Sequence, residues 1–376
     1  MNWLTRDAAL ARLGVKPQTL YAYVSRGIIA SRPQEDDPRA SLYAEADIDA
    51  FLRRRRTGRA RTAIASAAIS WGDPVMETAI TTVRDGKLIY RGKDAVKLAA
   101  TASLEDVAAL LWQAPYPPVA RTEAALPSGE TGKQRLLTWL GARAASDPPG
   151  FGRGKDALGA DGATLLSGAC SAITGDSERG LYHQRLARHW SLDPGGTDLL
   201  RRALVLVADH ELNPSTFAAR IAASTGAPLA ASALAGCATL TGPLHGEASA
   251  RALAYLRAAL TTVPDDALSA LASRGERIPA VGHALYPAGD PRAAALLRWM
   301  KPDAALQRAI KAAEHASGEA ANVDMALAAL TLSLDLPDDA PFLIFASGRM
   351  VGWIAHAIEQ QGSGKLIRPR ATYTGS

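Results

Sequence analysis

The chain has few of the residues that indicate disulfides, metal knuckles or disorder. Its 376 residues include only two cysteines, Cys170 and Cys237, which lie 67 positions apart and therefore predict neither a disulfide framework nor a paired-thiolate zinc site. No Gly-x-Gly-x-x-Gly or phosphate-binding loop pattern occurs, which disfavours Rossmann and P-loop enzymes. With 48% hydrophobic and 21% charged residues, the composition is that of a folded chain of about two or three domains.

Targeting and membrane-spanning patterns are missing as well. The first ten residues, MNWLTRDAAL, carry Asp7 and no apolar core, so we expect no signal peptide. The longest weakly charged stretch, Ile221 to Leu244, is interrupted by Ser, Thr, Gly and Pro, which predicts a buried pair of small-residue helices rather than a membrane span. Together with the scarcity of cysteine, these features predict a cytoplasmic protein.

The positive charge is concentrated at the N-terminal end. The net charge is +5, and the first 61 residues hold twelve Lys or Arg against seven Asp or Glu, which leaves 30 of each sign in the rest. Such an excess is typical of a unit that meets nucleic acid or another acidic surface. A charge run such as RRRRTGRAR is equally typical of a solvated linker.

The first sixty residues predict a small helical unit. Thr5 to Gly27 has the pattern of two short helices around a turn at Gly14, with Pro17 in the first turn of the second helix. After a polar loop at 33–40, the segment SLYAEADIDAFL predicts a short strand and then a helix with Ile48 facing inward.

The segments ALARLGVKPQTLYAYVSRGII and LYAEADIDAF resemble, in this order, the winged helix-turn-helix of the MerR and excisionase-like families. The resemblance implies DNA binding by residues 1–56, followed by an arginine-rich linker at 57–67 that would contact phosphates in a salt-sensitive way. A module that docks a partner protein is the alternative. The side chains that a recognition helix would present to phosphates and base edges are Lys16, Gln18, Thr19, Tyr21 and Arg26.

From about residue 64 onward the chain is rich in Ala and Leu at helical spacing, so we predict a large, mainly α-helical domain. One hairpin is expected in TAITTVRDGKLIYRG, where Asp85-Gly86 is a favoured sequence for a two-residue turn. Proline and glycine breaks at 114–118, 146–150 and 193–196 delimit the helices of the first half.

Three of the seven histidines lie in unusual segments. His210 stands between two carboxylates in ADHELNPSTF, whereas His245 and His283 lie in loops that contain glycine and proline. A lone histidine is more often a satisfied core or surface group, but three in such segments favour catalysis or ligand binding. No His-x-x-x-His or His-Glu-x-x-His pair exists, so no metal site is predicted.

A carboxylate and several arginines extend this set. Asp324 precedes an apolar helix, so either burial raises its pKa toward that of a useful base or it simply caps the helix. Arg349 lies in the apolar run FLIFASGRMVGWIAH, where a buried guanidinium needs an anionic partner. With Arg368 and Arg370 near the C-terminus, these guanidinium groups and the three histidines predict a pocket for a small dicarboxylate.

Several segments resemble, in order and spacing, the signature blocks of the citrate synthase family, which includes citrate and 2-methylcitrate synthases. They are DHELNPSTFAARIAAST, TLTGPLHGEA, VGHALYPAGDPRA, NVD, GRMVGWIAHAIEQ and RPRATYTG, and the resemblance covers residues 68–376. It implies a mainly α-helical, two-lobed homodimer, with its small lobe at roughly 210–325, that condenses acetyl-CoA with oxaloacetate without a metal or a bound redox cofactor.

The resemblance also implies a role for each residue that matches a block. Asp324 would remove a methyl proton from the thioester, His245 would hydrogen-bond the thioester oxygen, and His283 would polarise the carbonyl of oxaloacetate. Oxaloacetate itself would be held by His210, Arg292 and Arg349, with Arg368 contributed by the neighbouring subunit.

Some positions depart from the family pattern. Glu247 and Ser249 stand where glycine and asparagine are usual, and we expect a buried Glu247 to raise the pKa of His245 or to alter the pocket. Ala284 and Pro287 replace basic residues that resemble contacts to the CoA phosphates, so weaker or rearranged CoA binding follows as a hypothesis. Met-Ala after Asn-Val-Asp, in place of an aromatic pair, changes the wall beside Asp324.

These patterns predict citrate synthase activity, with four alternatives. Propionyl-CoA as the donor, giving 2-methylcitrate, stays open because one methylene changes discrimination by only about 1 to 3 kcal/mol. A DNA-binding regulator, rather than an enzyme, is a further alternative, in which residues 68–376 would sense CoA or dicarboxylates with little turnover. Cleavage of citryl-CoA or an inert scaffold completes the set.

Overall fold

The computed structural model describes residues 2–25, 27–34, 40–52, 76–119, 127–371 and 373–375. The chain divides into two compact units, Met1–Glu77 and Thr78–Ser376. The predicted linker at 57–67 and the candidate Arg26 lie outside the described residues.

In its described part, the first unit consists of three short helices and a three-stranded antiparallel sheet. The first helix begins where the Thr5 hydroxyl accepts a hydrogen bond from the Ala8 N–H, and it ends at Gly14, whose φ of 64° is easily adopted by glycine. Leu20 and Ile48 are fully buried at the centre of the unit. The elements are β1 (Trp3–Leu4), α1 (Arg6–Leu13), α2 (Pro17–Ser25), β2 (Ser31–Pro33), β3 (Ser41–Ala44) and α3 (45–52), with strand order β1-β3-β2.

The predicted helix pair, its glycine turn and the following strand and helix are confirmed as elements. The pairing of β3 with both β1 and β2 is not foreseeable from the sequence, because strands of two and three residues carry no periodic signal. Around the start of α2, Lys16 and Gln18 are exposed, Thr19 is half-buried and Tyr21 is 51% exposed.

The second unit opens with the predicted hairpin. Asp85 and Gly86 have φ values of 51° and 69°, the positive values that a two-residue turn between right-handed twisted strands requires. This turn joins β4 (Thr81–Arg84) to β5 (Lys87–Tyr90). A second tight turn at Arg91 and Gly92 adds β6 (Lys93–Asp94), which we do not predict because Arg-Gly is not a preferred turn pair.

Helices make up most of the remaining described residues. The proline and glycine breaks fall between helices or at helix ends, as predicted. Of the buried helix pair predicted within Ile221 to Leu244, one helix, Leu229–Leu240, lies wholly in that stretch; the preceding helix begins at Pro214 and ends at Ser224, and Leu244 is fully exposed. The helices are α4 (Ala95–Thr101), α5 (Leu104–Trp112), α6 (Gly132–Ser146), α7 (Lys155–Thr174), α8 (Tyr182–His189), α9 (Pro194–Leu206), α10 (Pro214–Ser224), α11 (Leu229–Leu240), α12 (Ala248–Thr261), α13 (Pro264–Ser273), α14 (Pro291–Met300), α15 (Ala304–Ser317), α16 (Val323–Ser333) and α17 (Ala340–Ser363).

These helices enclose two hydrophobic cores. The larger core includes α17, which has the length and apolar composition of a membrane span, but its most apolar 18-residue window is 89% buried inside the protein. Helix α17 is therefore a core helix of the fold. The second core is formed mainly by α12, α13, α15 and α16. Helix α16 belongs to both, because Val323 and Leu327 pack into the larger core whereas Met325 and Ala328 pack into the second.

Candidate active site

Asp324 lies in the first turn of α16, where the helix is capped by a different residue. Asn322 accepts a hydrogen bond from the Asp324 N–H at 3.0 Å, so the interpretation of Asp324 as a helix cap is wrong. The Asp324 carboxylate instead accepts a hydrogen bond from the hydroxyl of Ser249, with Oγ 2.5 Å from Oδ1. Burial raises the pKa of Asp324, and the hydrogen bond from Ser249 opposes that rise. The group has the properties of a candidate base.

His245 lies in the loop between α11 and α12 and contacts a buried serine. Its Nε2 is 2.9 Å from the Oγ of Ser215, which also lies 2.7 Å from the Oδ1 of Asn213 and accepts a hydrogen bond from the Trp353 indole at 3.2 Å. Burial, and then the charge of Arg349, lowers the pKa of His245 from 6.5 to about 4. The imidazole is therefore neutral at pH 7, and Nδ1 is the ring nitrogen left for a ligand.

His210 and His283 meet at a buried tyrosine. Their ring centroids are 5.0 Å apart in an edge-to-face arrangement, and the hydroxyl of Tyr286 lies 2.9 Å from His210 Nε2. Burial and the charge of Arg292 lower the pKa of both imidazoles, that of His210 well below its ordinary value. Both rings therefore act as neutral hydrogen-bonding groups at pH 7.

Arg292 is buried against a carboxylate. Its Nε and Nη2 donate to the two oxygens of Asp290 at 2.9 and 2.8 Å, and both side chains are at most 3% exposed. The Oδ2 of Asp290 also accepts the backbone N–H of Val323 at 3.0 Å. Asp290 therefore links Arg292 to the start of α16, one residue before Asp324.

Arg349 is buried with no carboxylate at ion-pair distance among the described residues, although the charge of the buried Asp209 acts on it and raises its pKa. Arg349 is 1% exposed, its Nε donates to the carbonyl of Val207 at 2.9 Å, and within the described ranges it forms no ion pair and its Nη2 finds no partner. Burial lowers the pKa of Arg349 from 12.5 to about 10. A buried guanidinium in this condition is costly unless an anion completes its coordination.

The two arginines act electrostatically on the other predicted residues. Arg349 lowers the pKa of His210, His245 and Asp324, and Arg292 lowers that of His210, His283 and Asp324. The structure thus brings together six of the seven residues predicted for substrate chemistry, namely His210, His245, His283, Arg292, Asp324 and Arg349. Arg368 is exposed on the segment after α17, and among the described residues no hydrogen bond or ion pair joins it to the six.

The positions that depart from the family pattern have different environments. Glu247 is exposed, so the expectation that it is buried and raises the pKa of His245 is wrong, and that pKa is lowered instead. Ala284 and Pro287 are exposed on the loop before α14. Met325, which follows Asp324, is buried in the second core.

Sequence reasoning missed three contributors to the site. Ser215 and Tyr286 lie within five residues of His210 and His283, but nothing in a serine or tyrosine by itself indicates which histidine it contacts. Asp290 carried a usable signal, since Asp before Pro is typical of a helix N-cap, and it does cap α14. In the part of the chain that the structure describes, no group of three or more His, Cys, Asp or Glu side chains is placed to hold a metal ion.

Fold and site together define a helical protein with two cores, a candidate carboxylate base, neutral histidines and two buried arginines, of which Arg292 is paired with Asp290. The family model "Citrate synthase, C-terminal domain" matches residues 69–137 and 164–370, and the chain belongs to the citrate synthase family.

Individual relatives agree with this membership. A citrate synthase of Haloferax volcanii is 37% identical over 188 residues, which cover 46% of this chain and 49% of the relative, so the chain spans about half the length of that protein. A 2-methylcitrate synthase of Shewanella oneidensis is 30% identical over 352 residues, covering 81% of this chain and 93% of the relative.

Solved structures share the fold. The citrate synthase of Thermotoga maritima superposes with a TM-score of 0.67 at 24% identity, covering 81% of this chain and 94% of that one. The Thermoplasma acidophilum citrate synthase, solved as a ternary complex with carboxymethyl coenzyme A and oxaloacetate, gives a TM-score of 0.65 at 24% identity, with the same coverage.

Proposed function

We propose that this protein condenses acetyl-CoA with oxaloacetate and hydrolyses the resulting thioester to give citrate and CoA. The observation that carries the proposal is Arg349, a buried guanidinium that has no ion-pair partner among the described residues and acts electrostatically on His210, His245 and Asp324. A dicarboxylate supplies the missing anion, and planar guanidinium groups bind carboxylates in bidentate fashion.

Proton abstraction falls to Asp324 and His245. Asp324 takes a proton from the methyl carbon of the thioester, and the electron pair of that C–H bond moves into the enolate. His245 stabilises the thioester oxygen as charge develops on it. His245 donates to this oxygen from Nδ1 in the tautomer that carries its proton there, and the Ser215 hydroxyl then turns its single proton from Asn213 Oδ1 to Nε2.

Condensation then takes place at the other two histidines. The enolate carbon attacks the carbonyl carbon of oxaloacetate, and the C=O π electrons move to its oxygen. His283 polarises that carbonyl, passes its ring N–H proton to the new alkoxide and takes a proton back from water. His210, Arg292 and Arg349 hold the dicarboxylate, with Arg368 supplied by the second subunit of a homodimer. All these groups are side chains, so the proposal calls for no bound cofactor.

The acyl donor is acetyl-CoA or propionyl-CoA. The long alignment with a 2-methylcitrate synthase favours testing both donors, which differ by one methylene. Ala284 and Pro287 are exposed and uncharged, which supports weaker binding of the CoA phosphates. A cytoplasmic location remains a prediction from the two cysteines, both of which are free and buried.

The test is release of free CoA thiol by the full chain given oxaloacetate with either donor. Asp324→Asn is expected to reduce turnover by more than about 100-fold, the usual scale of a lost general base. Asp335→Asn is the matched control, because Asp335 is exposed with a φ of 49°, a conformation that asparagine tolerates. Absence of turnover with both donors in the folded wild type would refute the proposal.

We propose DNA binding by the first unit as a second function. The observations that favour it are the turn at Gly14 between α1 and α2, the exposure of Lys16, Gln18 and Tyr21, and the positive charge of the first 61 residues. In a regulator, the second unit would bind CoA or dicarboxylates as signals and would not turn them over.

Retention on heparin or duplex DNA at low salt tests this second function. The full chain and a variant lacking residues 1–61 are compared, and deletion is expected to abolish a retention that weakens with salt. Equal retention of both forms rejects DNA binding by this unit. Oxaloacetate and acyl-CoA are then added as effectors, and a change in DNA affinity without turnover favours the regulator over the enzyme.

A further inference from the structure

Ser249 makes a hydrogen bond that the roles assigned above do not use. It lies in the first turn of α12, is 3% exposed, and its Oγ is 2.5 Å from Oδ1 of Asp324, which lies 75 residues further along the chain. Helices α12 and α16 pack against each other in the second core, so the contact joins two well-anchored elements.

The hydrogen bond from Ser249 makes the two oxygens of the Asp324 carboxylate inequivalent. Oδ1 accepts a hydrogen bond from the buried Ser249 hydroxyl, whereas no side chain among the described residues donates to Oδ2. A hydrogen bond to an ionised oxygen is shorter and stronger than one between neutral groups, so it restricts rotation of the carboxylate. Oδ2 of Asp324 is thereby held in one orientation.

We propose that Ser249 is the positioning residue of Asp324: its hydroxyl fixes Oδ1 and reserves Oδ2 as the atom that takes the proton of the acyl-CoA. The proposal rests on the function proposed above. When the C–H bond breaks, the proton forms the O–H bond at Oδ2, its electron pair enters the enolate, and the hydrogen bond from Ser249 to Oδ1 persists. Preorganised geometry of this kind is a main source of rate in proton abstraction.

The charge environment of Asp324 supports a measurable effect on ionisation. Burial raises its pKa, while the Ser249 hydrogen bond, Arg292 and Arg349 lower it and Asp290 raises it. Removing the hydroxyl therefore raises the pKa of Asp324 further. The base is then protonated over a wider range of acidic and neutral pH.

The first experiment measures kcat/KM for the acyl-CoA against pH in Ser249→Ala and Ser249→Thr. Ser249→Ala is expected to lose about 10- to 100-fold at neutral pH, the range for a lost hydrogen bond to a charged group, and to recover part of the loss at higher pH. Ser249→Thr keeps the hydroxyl and is expected to restore the wild-type pH profile. A loss in Ser249→Ala that is equal at every pH, or a profile identical to wild type, overturns the proposal.

The second experiment does not depend on turnover. Titration of the Asp324 carboxyl carbon, followed by NMR with ¹³C-labelled aspartate and assigned with Asp324→Asn, reports its pKa directly. This pKa is expected to rise in Ser249→Ala. The control is Ser232→Ala, because Ser232 is fully buried in α11 and its hydroxyl has no partner in the described chain.

The two experiments separate the possible failures. If the wild type shows no turnover but the NMR pKa rises in Ser249→Ala, the proposed function is wrong and with it the proton transfer to Oδ2, although the contact is real. If the wild type turns over and neither the profile nor the NMR pKa moves, only the role of Ser249 is wrong.

Discussion

Replacing Arg349 by methionine should weaken ligand binding without reducing the stability of the ligand-free protein. Burial lowers the pKa of Arg349 from 12.5 to about 10, which at about 1.4 kcal/mol per unit means that burial disfavours the charge by roughly 3 kcal/mol. Arg349→Met removes this cost but also the hydrogen bond to Val207, worth about 1.5 to 3 kcal/mol. The expected net change is a gain in stability of about 0 to 2 kcal/mol.

Arg292 provides the matched control because it is equally buried but paired. Arg292→Met leaves the Asp290 carboxylate buried and without its partner, which typically costs about 3 to 5 kcal/mol. Two substitutions of the same type at two buried arginines should therefore change the free energy of unfolding in opposite directions, or at least by clearly different amounts.

Thermal unfolding with and without oxaloacetate measures both effects. A ligand at 100 times its Kd stabilises the wild type by about 2.7 kcal/mol, and Arg349→Met should lose this shift because truncation of a buried charged contact costs about 2 to 5 kcal/mol of binding. If ligand-free Arg349→Met is destabilised by about 3 kcal/mol or more, Arg349 is a structural residue and the reasoning is refuted.

Three further predictions concern packing, pH and the tyrosine. Gly348→Ala should cost about 1 to 3 kcal/mol in urea unfolding, because a Cβ there would lie 2.6 Å from a backbone oxygen of α9, whereas Gly141→Ala, which meets nothing within 4 Å, should not destabilise. Burial lowers the pKa values of His245 and His183 from 6.5 to about 4, so between these pH values the unfolded state binds more protons than the folded state. The stability present above pH 6.5 should therefore be lost as the pH falls toward 4. A urea midpoint that is constant from pH 7 to 4.5 would contradict this. Tyr286→Phe should raise the KM for oxaloacetate about 2- to 10-fold through loss of one hydrogen bond to an imidazole, and an unchanged KM would exclude that role.

Local features of the fold could be predicted from the sequence because they depend on a few adjacent residues. The turn at Asp85-Gly86 and the left-handed end of α1 at Gly14 follow from backbone preferences alone. The short strands β1 and β2 could not be predicted in this way, since they exist only through pairing with β3. Nor could periodicity reveal that α16 packs into two cores.

The site was predictable to the level of residue types but not of partners. Asp324 and Arg349 stand out because a charged group in an apolar segment needs an explanation. Asp324 contacts Ser249, which lies 75 positions earlier in the chain, and Arg349 contacts Val207, which lies 142 positions earlier. No local sequence pattern encodes contacts over such distances along the chain. For the same reason Glu247 was expected to be buried, although the fold leaves it exposed.

The position of α17 has a consequence for biosynthesis. The indole of Trp112 in α5 donates to the carbonyl of Val351 in α17, a partner that is translated 239 residues later. At about 5 to 20 residues per second, a ribosome needs roughly 10 to 50 s to cover this distance. During that time α5 and the other helices that pack on α17 have no central helix to cover their apolar faces. Until α17 has been synthesised, the apolar faces that it covers stay open to aggregation and to chaperone binding.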